Sequence, residues 1–301
     1  MLTGGITIYF NPNDITMTSP RTLLNAWQVQ AKKQLGQHFL AHPAAAEKIV
    51  AATRIRPNEI VLEIGAGLGA LTIPVARRAA RVYAVETDHR ITGLLKTEIL
   101  AAKIDNVQII EKNILDFDIA HLAAETVDRL VVIGNLPYHI SSQVLVRLIM
   151  SRHWVDRAVL MFQKELAERL MAPPGTKTYG RITVMLAYCA RIGRLADFPA
   201  ESFFPRPKVD SSVLEIRFRQ TLETVPRDET FLHKVIQAAF SQRRKTLKNA
   251  LSGSFLDLSP EIAIKALEAA GINPIRRAET LSPNDFIRLS NCLYVVSPSA
   301  R

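Results

Sequence analysis

Cysteine is nearly absent from this 301-residue chain, which has only Cys189 and Cys292, far apart and outside any CxxC or Cys/His cluster. That spacing speaks against a disulfide framework and against a zinc site, so no metal is expected and both residues are read as reduced thiols. Long apolar runs are missing as well. No window approaches the roughly 18 uninterrupted apolar residues that a membrane helix needs. The early stretch "GITIYFNPND" is too short and too polar for the apolar segment of a secretory signal, so the cytoplasm is the expected compartment. Acidic residues are in deficit, 28 against 38 Lys plus Arg, which leaves a net charge of +10. A surplus of that size favours a polyanionic partner such as nucleic acid, although a generally basic enzyme gives the same total.

What the chain does have is apolar material, 48% of its residues, enough for one large domain or a large and a small one. Residues 1–26 show no sustained periodicity and are read as a loose tail, with Met17 as an alternative start. From about residue 43, helical and strand-like patterns alternate: "PAAAEKIVAATRI", "EIVLEIG", "LGALTIPVARRA", "RVYAVE", "RITGLLKTEILAA", "NVQIIEKN", "RLVVIG", "SSQVLVRLIMSR", "RAVLMFQ". Short apolar runs separated by helices of about a dozen residues indicate βαβ units, hence an α/β, doubly wound, mostly parallel sheet. The pattern then changes. "RIGRLADFP" and "SSVLEIRFR", joined by the Pro-rich "FFPRPKVD", read as two strands giving the sheet an antiparallel edge. Beyond residue 220 only helical patterns remain, at 228–240, 243–251, 260–270 and 283–293. Ser259, Pro260 and Gly271 supply start and stop signals for the third of these. The expected organisation is a tail, a 27–220 domain and a small helical 221–301 domain.

The first chemical motif is "VLEIGAGLGALT". A strand running into Gly65, Gly67 and Gly69 lets the backbone turn sharply and approach a nucleotide-type ligand. Glu86 lies at the end of the next strand, where a carboxylate can accept from ribose hydroxyls. Dehydrogenases and methyltransferases share this arrangement, so the motif alone leaves both open. Asn113 follows the third strand, at the rim where an adenine would lie; a turn-forming Asn is the simpler reading.

"GNLPY" follows the fourth strand, and open α/β sheets bind ligands at the carboxyl ends of their strands. An exocyclic amine on adenine is a poor nucleophile because its lone pair is delocalised into the ring. The Asn135 side-chain oxygen and a neighbouring backbone carbonyl, held by Pro137, can accept its two hydrogens and draw it toward a tetrahedral shape. The Tyr138 ring then offers a stacking face worth roughly 1 to 3 kcal/mol. Hydride transfer calls for none of this. Basic residues cluster in three places: Lys32 and Lys33; Arg206 and Lys208 beside two phenylalanines; and Arg243, Arg244, Lys245 and Lys248, read as a phosphate-gripping helix surface supported by Arg276 and Arg277 or as a plain solvated face.

Together these motifs resemble those of the ribosomal small-subunit RNA adenine dimethyltransferases. The likeness runs through "KKQLGQHFL", "VLEIGAGLGALT", "AVETD", "GNLPYHISS", "MFQKELAERLMA", "TYGRITVML", "FFPRPKVDSSV" and "RRAETLSPNDF", from about residue 28 to about 290. It implies a class I, Rossmann-like seven-stranded methyltransferase fold, S-adenosylmethionine as donor, and transfer of two methyls to N6 of each of two adjacent adenosines. The implied target is the 3'-terminal hairpin loop of small-subunit ribosomal RNA, met in a pre-ribosomal particle by a monomer. Carried over by position, the implied cofactor contacts are His38, Leu40, Gly65, Glu86, Asn113 and Asn135. The implied catalytic set is Asn135, Leu136, Pro137 and Tyr138, with Phe204 favoured over Phe203 as a second stacking ring. Two positions depart from the common pattern: Asn113 stands where Asp is usual, and Leu136, where Pro is frequent, is expected to alter the pocket's shape. Other readings are a large-subunit methylase of the antibiotic-resistance type, a non-catalytic assembly or transcription factor, and an NAD-dependent dehydrogenase.

Overall fold

The computed structural model describes residues 18–126, 128–242 and 244–296. The strands are β1 (Phe39–Leu40), β2 (Ile60–Ile64), β3 (Arg81–Glu86), β4 (Val107–Glu111), β5 (Leu130–Asn135), β6 (Val155–Gln163), β7 (Ala190–Phe198), β8 (Phe203–Phe204) and β9 (Ser211–Phe218). The first eight α-helices are α1 (Pro20–Ala26), α2 (Pro43–Thr53), α3 (Thr72–Ala76), α4 (His89–Ala101), α5 (Ile119–Ala124), α6 (Ser141–Met150), α7 (Lys164–Leu170) and α8 (Arg181–Cys189). Four more close the chain: α9 (Glu229–Ala239), α10 (Leu247–Ser252), α11 (Pro260–Ala269) and α12 (Pro283–Val296).

Seven strands form one sheet in the order β4-β3-β2-β5-β6-β9-β7. The pairs from β4 to β6 are parallel, and β9 runs antiparallel to both neighbours, so the reversed strand sits one place inside the edge that β7 occupies. β2 and β3 have successive residues on opposite faces. Val61 and Val82 join Ile49 and Val50 of α2 on one side, while Leu62 and Val85 join Leu145 and Leu148 of α6 on the other. Both faces are covered, which is why these strands read as continuous apolar runs rather than alternating ones. The strand order reverses between β2 and β5, and that switch point is where an open α/β sheet leaves a crevice.

Helix starts follow local chemistry. The Asp88, Asp228 and Ser259 side chains accept from Arg90, Phe231 and Ile262 backbone N–H groups at the starts of α4, α9 and α11. Gly271 follows α11 with φ +70°, as its stop signal requires.

Three expectations change. Residues 1–17 lie outside the described residues, but 18–26 are not a loose tail. α1 is capped by Ser19 and buries Leu23 and Leu24 against Phe39, Leu68, Ile91 and Leu94. The expected helix at 243–251 shrinks to α10. A turn closes with Lys245 N–H donating to the Gln242 carbonyl, Thr246 is extended, and the Leu247 N–H is taken by the Arg276 carbonyl. Finally, the apolar core of the 221–301 region is continuous with that of the sheet. One apolar cluster runs from Leu62 and Leu160 of the sheet through Val184 of α8 to Phe231, Leu247, Leu267 and Phe286.

Cys189 is buried and its thiol is pushed up to about 12 by burial, while Cys292 is half-buried; both are free. Among the described residues no helix is long and apolar enough to cross a membrane.

Candidate active site

The crevice at the switch point is a cleft of about 170 Å³ whose lining includes Gly65, Glu86, Asn113, Asn135, Pro137, His38 and Leu40. Six of these are the residues assigned above to the cofactor, drawn from five separate segments. The glycine loop makes the close approach possible. Gly67 has φ +55°, a backbone conformation that a side chain would strain, and a Cβ there would lie 3.2 Å from the Phe39 ring, closer than ordinary contact.

Glu86 ends β3 with 8% of its surface exposed. Its Oε2 accepts from Gly67 N–H at 2.9 Å, and its Oε1 accepts from Thr87 and Asp88 N–H at 2.9 and 3.0 Å. Burial raises its pKa, and these three donors pull against that shift. A carboxylate offers about four lone-pair sites, so one remains on Oε2 for a ligand hydroxyl. Asn113 spends its Oδ1 on the Leu115 N–H at 3.0 Å, capping a short turn, and the residue lines the cleft. The simpler turn-forming reading therefore accounts for part of its role.

His38 joins three segments. Its backbone carbonyl accepts from Asn135 Nδ2 at 2.8 Å, its Nδ1 donates to the Pro205 carbonyl at 2.6 Å, and its ring stacks on Tyr138 with centroids 5.6 Å apart. The first of these bonds occupies the nitrogen end of the Asn135 amide and leaves Oδ1 as an acceptor. Tyr138 is half-buried, and its hydroxyl meets Ser211 Oγ at 3.0 Å. Burial raises its phenol pKa, against the opposing effect of Ser211. The Pro137 carbonyl is already used, accepting from Ile140 N–H at 3.2 Å and Ser141 Oγ at 3.1 Å. Among the described hydrogen bonds none reaches the Leu136 carbonyl, so that is the neighbouring acceptor left over. The Leu136 side chain is 1% exposed and packs into the core, so it does not line the cleft and the expected change of pocket shape is not seen.

The two phenylalanines separate. Phe203 is buried under the sheet with Val213 and Met161, while Phe204 is half-buried, paired with Phe39 in the β1/β8 ladder. The Arg21 guanidinium lies 5.7 Å from the Phe204 ring centre, so one face of that ring already has a neighbour. Lys32 is not a free cation: its Nζ lies 3.1 Å from buried Asp88, which ties the 32–40 segment to the end of β3. Of the expected RNA-contacting residues, Arg244, Lys245 and Lys208 are exposed, Lys248 is half-buried, and Arg206 faces exposed Glu201 at 3.6 Å. Arg243 lies outside the described residues, as does the side chain of Lys33.

Sequence reasoning passed over Glu63. It sits on β2 with 1% exposure, lines the cleft, and its Oε2 has no hydrogen-bond partner. Burial pushes its pKa up to about 8, with Glu86 adding to the shift and the Thr72 hydroxyl opposing it. The available signal was an acid inside the otherwise apolar "IVLEIG".

A crevice at the switch point of this sheet, lined by the glycine loop, Glu86 and Asn135, with Tyr138 stacked on His38 just outside that lining, fits a class I methyltransferase fold. A sequence model described as "Ribosomal RNA adenine dimethylase" matches residues 28–294, and the chain belongs to that family. It is 50% identical over 278 residues to a ribosomal RNA small subunit methyltransferase A from Desulforapulum autotrophicum, covering 92% of this chain and 97% of the relative. A protein of the same name from Myxococcus xanthus is 39% identical over 283 residues, covering 94% and 98%. Among solved structures, a dimethyladenosine transferase from Plasmodium falciparum superposes with a TM-score of 0.70 at 28% identity, covering 84% of this chain and 96% of the other. The 23S rRNA methyltransferase ErmE, at 22% identity and a TM-score of 0.61, shares the fold and covers 85% and 99%.

Proposed function

We propose that the protein transfers methyl groups from S-adenosylmethionine to N6 of two adjacent adenosines in the 3'-terminal hairpin loop of small-subunit ribosomal RNA, two to each. The observation that carries this reading is the Asn135 amide, pinned through its nitrogen to His38 so that its oxygen stays free at the cleft beside the glycine loop.

The cleft suits such a donor on its own chemistry. Glu86 has spare acceptor capacity for ribose hydroxyls, and Glu63, whose carboxyl is pushed up to about 8 in the ligand-free protein, would ionise beside the donor's positive charge. Gly65 and Glu86 would hold its nucleoside part, with His38, Leu40 and Asn113 along the same wall. Bound there, S-adenosylmethionine supplies a methyl group on a positively charged sulfur. The rest is positioning. Asn135 Oδ1 and the Leu136 carbonyl accept the two amino hydrogens of the target adenine and draw its lone pair out of the ring, and Tyr138 supplies a face for the base. After the first transfer one hydrogen remains, so one acceptor gives up its donor before the second. The exposed basic turn at Arg244 and Lys245, with Lys208, grips phosphate. The protein acts as a monomer in the cytoplasm on a pre-ribosomal particle.

Mass spectrometry of both ribosomal RNAs tests this, using undermethylated subunits incubated with the protein and isotope-labelled donor. Two methyls on each of two adjacent adenosines of the small-subunit RNA are expected. Label confined to the large-subunit RNA, or tight small-subunit binding without label, would replace the reading by the resistance-methylase or the assembly-factor alternative.

A further inference from the structure

A second groove, of about 540 Å³, lies beside the cleft and shares no residue with it. The two are neighbours along one segment. His139 and Ile140 line the cleft, and Ser142 and Gln143, in the first turn of α6, line the groove. The groove has a mixed character. Its floor is apolar, built from Val146, Ile182 and Phe240, and its rim carries Arg169 at the end of α7 and Arg181 at the start of α8.

Phe240 is held firmly but not buried. Phe286 stacks on it at 5.9 Å, Tyr179 tilts against it at 6.4 Å, and the ring remains half-exposed to the groove. The two arginines are poorly neutralised. Among the described residues no carboxylate pairs with Arg181, and the partner of Arg169 is Glu165, 83% exposed and 3.6 Å away. A fixed aromatic face flanked by under-compensated guanidinium groups suits a base with its phosphate, because stacking tolerates any base and arginine matches phosphate geometry. The exposed Arg244 and Lys245 follow Phe240 by four and five residues, which adds positive charge nearby in the chain.

We propose that this groove is a second nucleotide subsite, in which an RNA base near the target adenosine stacks on Phe240 while Arg169 and Arg181 hold its phosphate. The proposal rests on the RNA-methylating function above and adds a place where the enzyme reads the strand outside its catalytic cleft.

The test measures RNA affinity and steady-state methylation with the full chain, using undermethylated small subunits and an isolated hairpin of their 3'-terminal sequence. In an Arg169→Gln/Arg181→Gln double variant, KM for either RNA should rise at least tenfold with kcat within about twofold. Cofactor affinity by calorimetry should be unchanged, and the salt slope of binding should flatten by about one to two. Phe240→Leu keeps the floor apolar but removes the ring, and should raise KM about fivefold or more, with Phe240→Tyr restoring it. Arg181 is exposed while Arg169 is half-buried, so Arg181→Gln alone stands as a test even if Arg169→Gln or Phe240→Leu disturbs folding. Wild-type KM and salt slope in the double variant would overturn the subsite, as would a loss seen with whole subunits but not with the hairpin, which would point to an acidic protein segment instead. If the wild-type protein itself fails to methylate either RNA, the underlying function fails rather than the groove.

Discussion

Two glutamates four residues apart mark opposite ends of β2, and the sheet treats them oppositely. Glu59, just before the strand, is 5% exposed and meets Arg157 through both oxygens at 2.8 Å, with the Arg56 guanidinium at 2.7 Å. Burial works to raise its pKa, but these partners outweigh it and bring it down to about 2. Glu63 at the other end is more deeply buried and has an unpartnered oxygen, and its pKa climbs to about 8. The same residue type is a closed ion pair just before β2, at the amino end of the parallel sheet, and an open acceptor near the strand's carboxyl end. An uncompensated buried acid at the carboxyl end of a strand is a candidate for ligand contact, whereas a compensated one at the amino end serves the fold.

Breaking the closed end should have the largest effect. Arg157→Met leaves Glu59 buried without its main partner and should cost about 3 to 5 kcal/mol in denaturant unfolding, with little change in cofactor affinity for the protein that remains folded. The open end should respond with the opposite sign. Because the folded pKa of Glu63 lies above its unfolded value, the native state binds the extra proton between roughly pH 4.5 and pH 8, and stability from this group falls as pH rises through that window. Glu63→Gln should therefore remove about 2 to 3 kcal/mol of the stability loss between roughly pH 5.5 and 7.5 in the ligand-free protein. Parallel pH profiles of variant and wild type would mean that Glu63 stays ionised and compensated.

Asn135→Ala probes the mouth of the cleft, where the comparison turns from stability to rate. Cofactor binding should stay largely intact while turnover falls at least tenfold, about 1.4 kcal/mol, and unchanged turnover would remove Asn135 from the mechanism. Tyr138→Phe should have the smallest effect. It deletes only the hydrogen bond to Ser211 and keeps the stacking ring, so stability should drop by about 1 kcal/mol with kcat nearly constant.

The parts of this design that are local in sequence were legible before any coordinates. Alternating apolar segments announced the βαβ sheet, the loop at Gly65 and Gly67 announced the sharp turn after β2, and "GNLPY" announced the mouth of the cleft. What stayed hidden depends on contacts between distant segments. α1 is seven residues long and is held by Leu23 and Leu24 meeting Ile91 and Leu94, which no window of sequence displays. Phe203 and Phe204 are neighbours on one short strand, so alternation puts them on opposite faces without saying which face is the core. Lys32 looked like part of a basic patch until its ion pair with buried Asp88 was visible. The turn at 242–246 read as helix because lysine and leucine are good helix formers, yet the Arg276 carbonyl claims the Leu247 N–H and ends that option.

The unbroken apolar cluster that joins the sheet to α9, α10, α11 and α12 has a geometric outcome. If the basic turn meets RNA as proposed, this continuous packing would hold its distance from the cleft steady, like the jaws of a caliper. On that proposal, an RNA whose loop and supporting stem are spaced differently would engage one jaw and miss the other, and selectivity would follow from spacing as well as from contact chemistry.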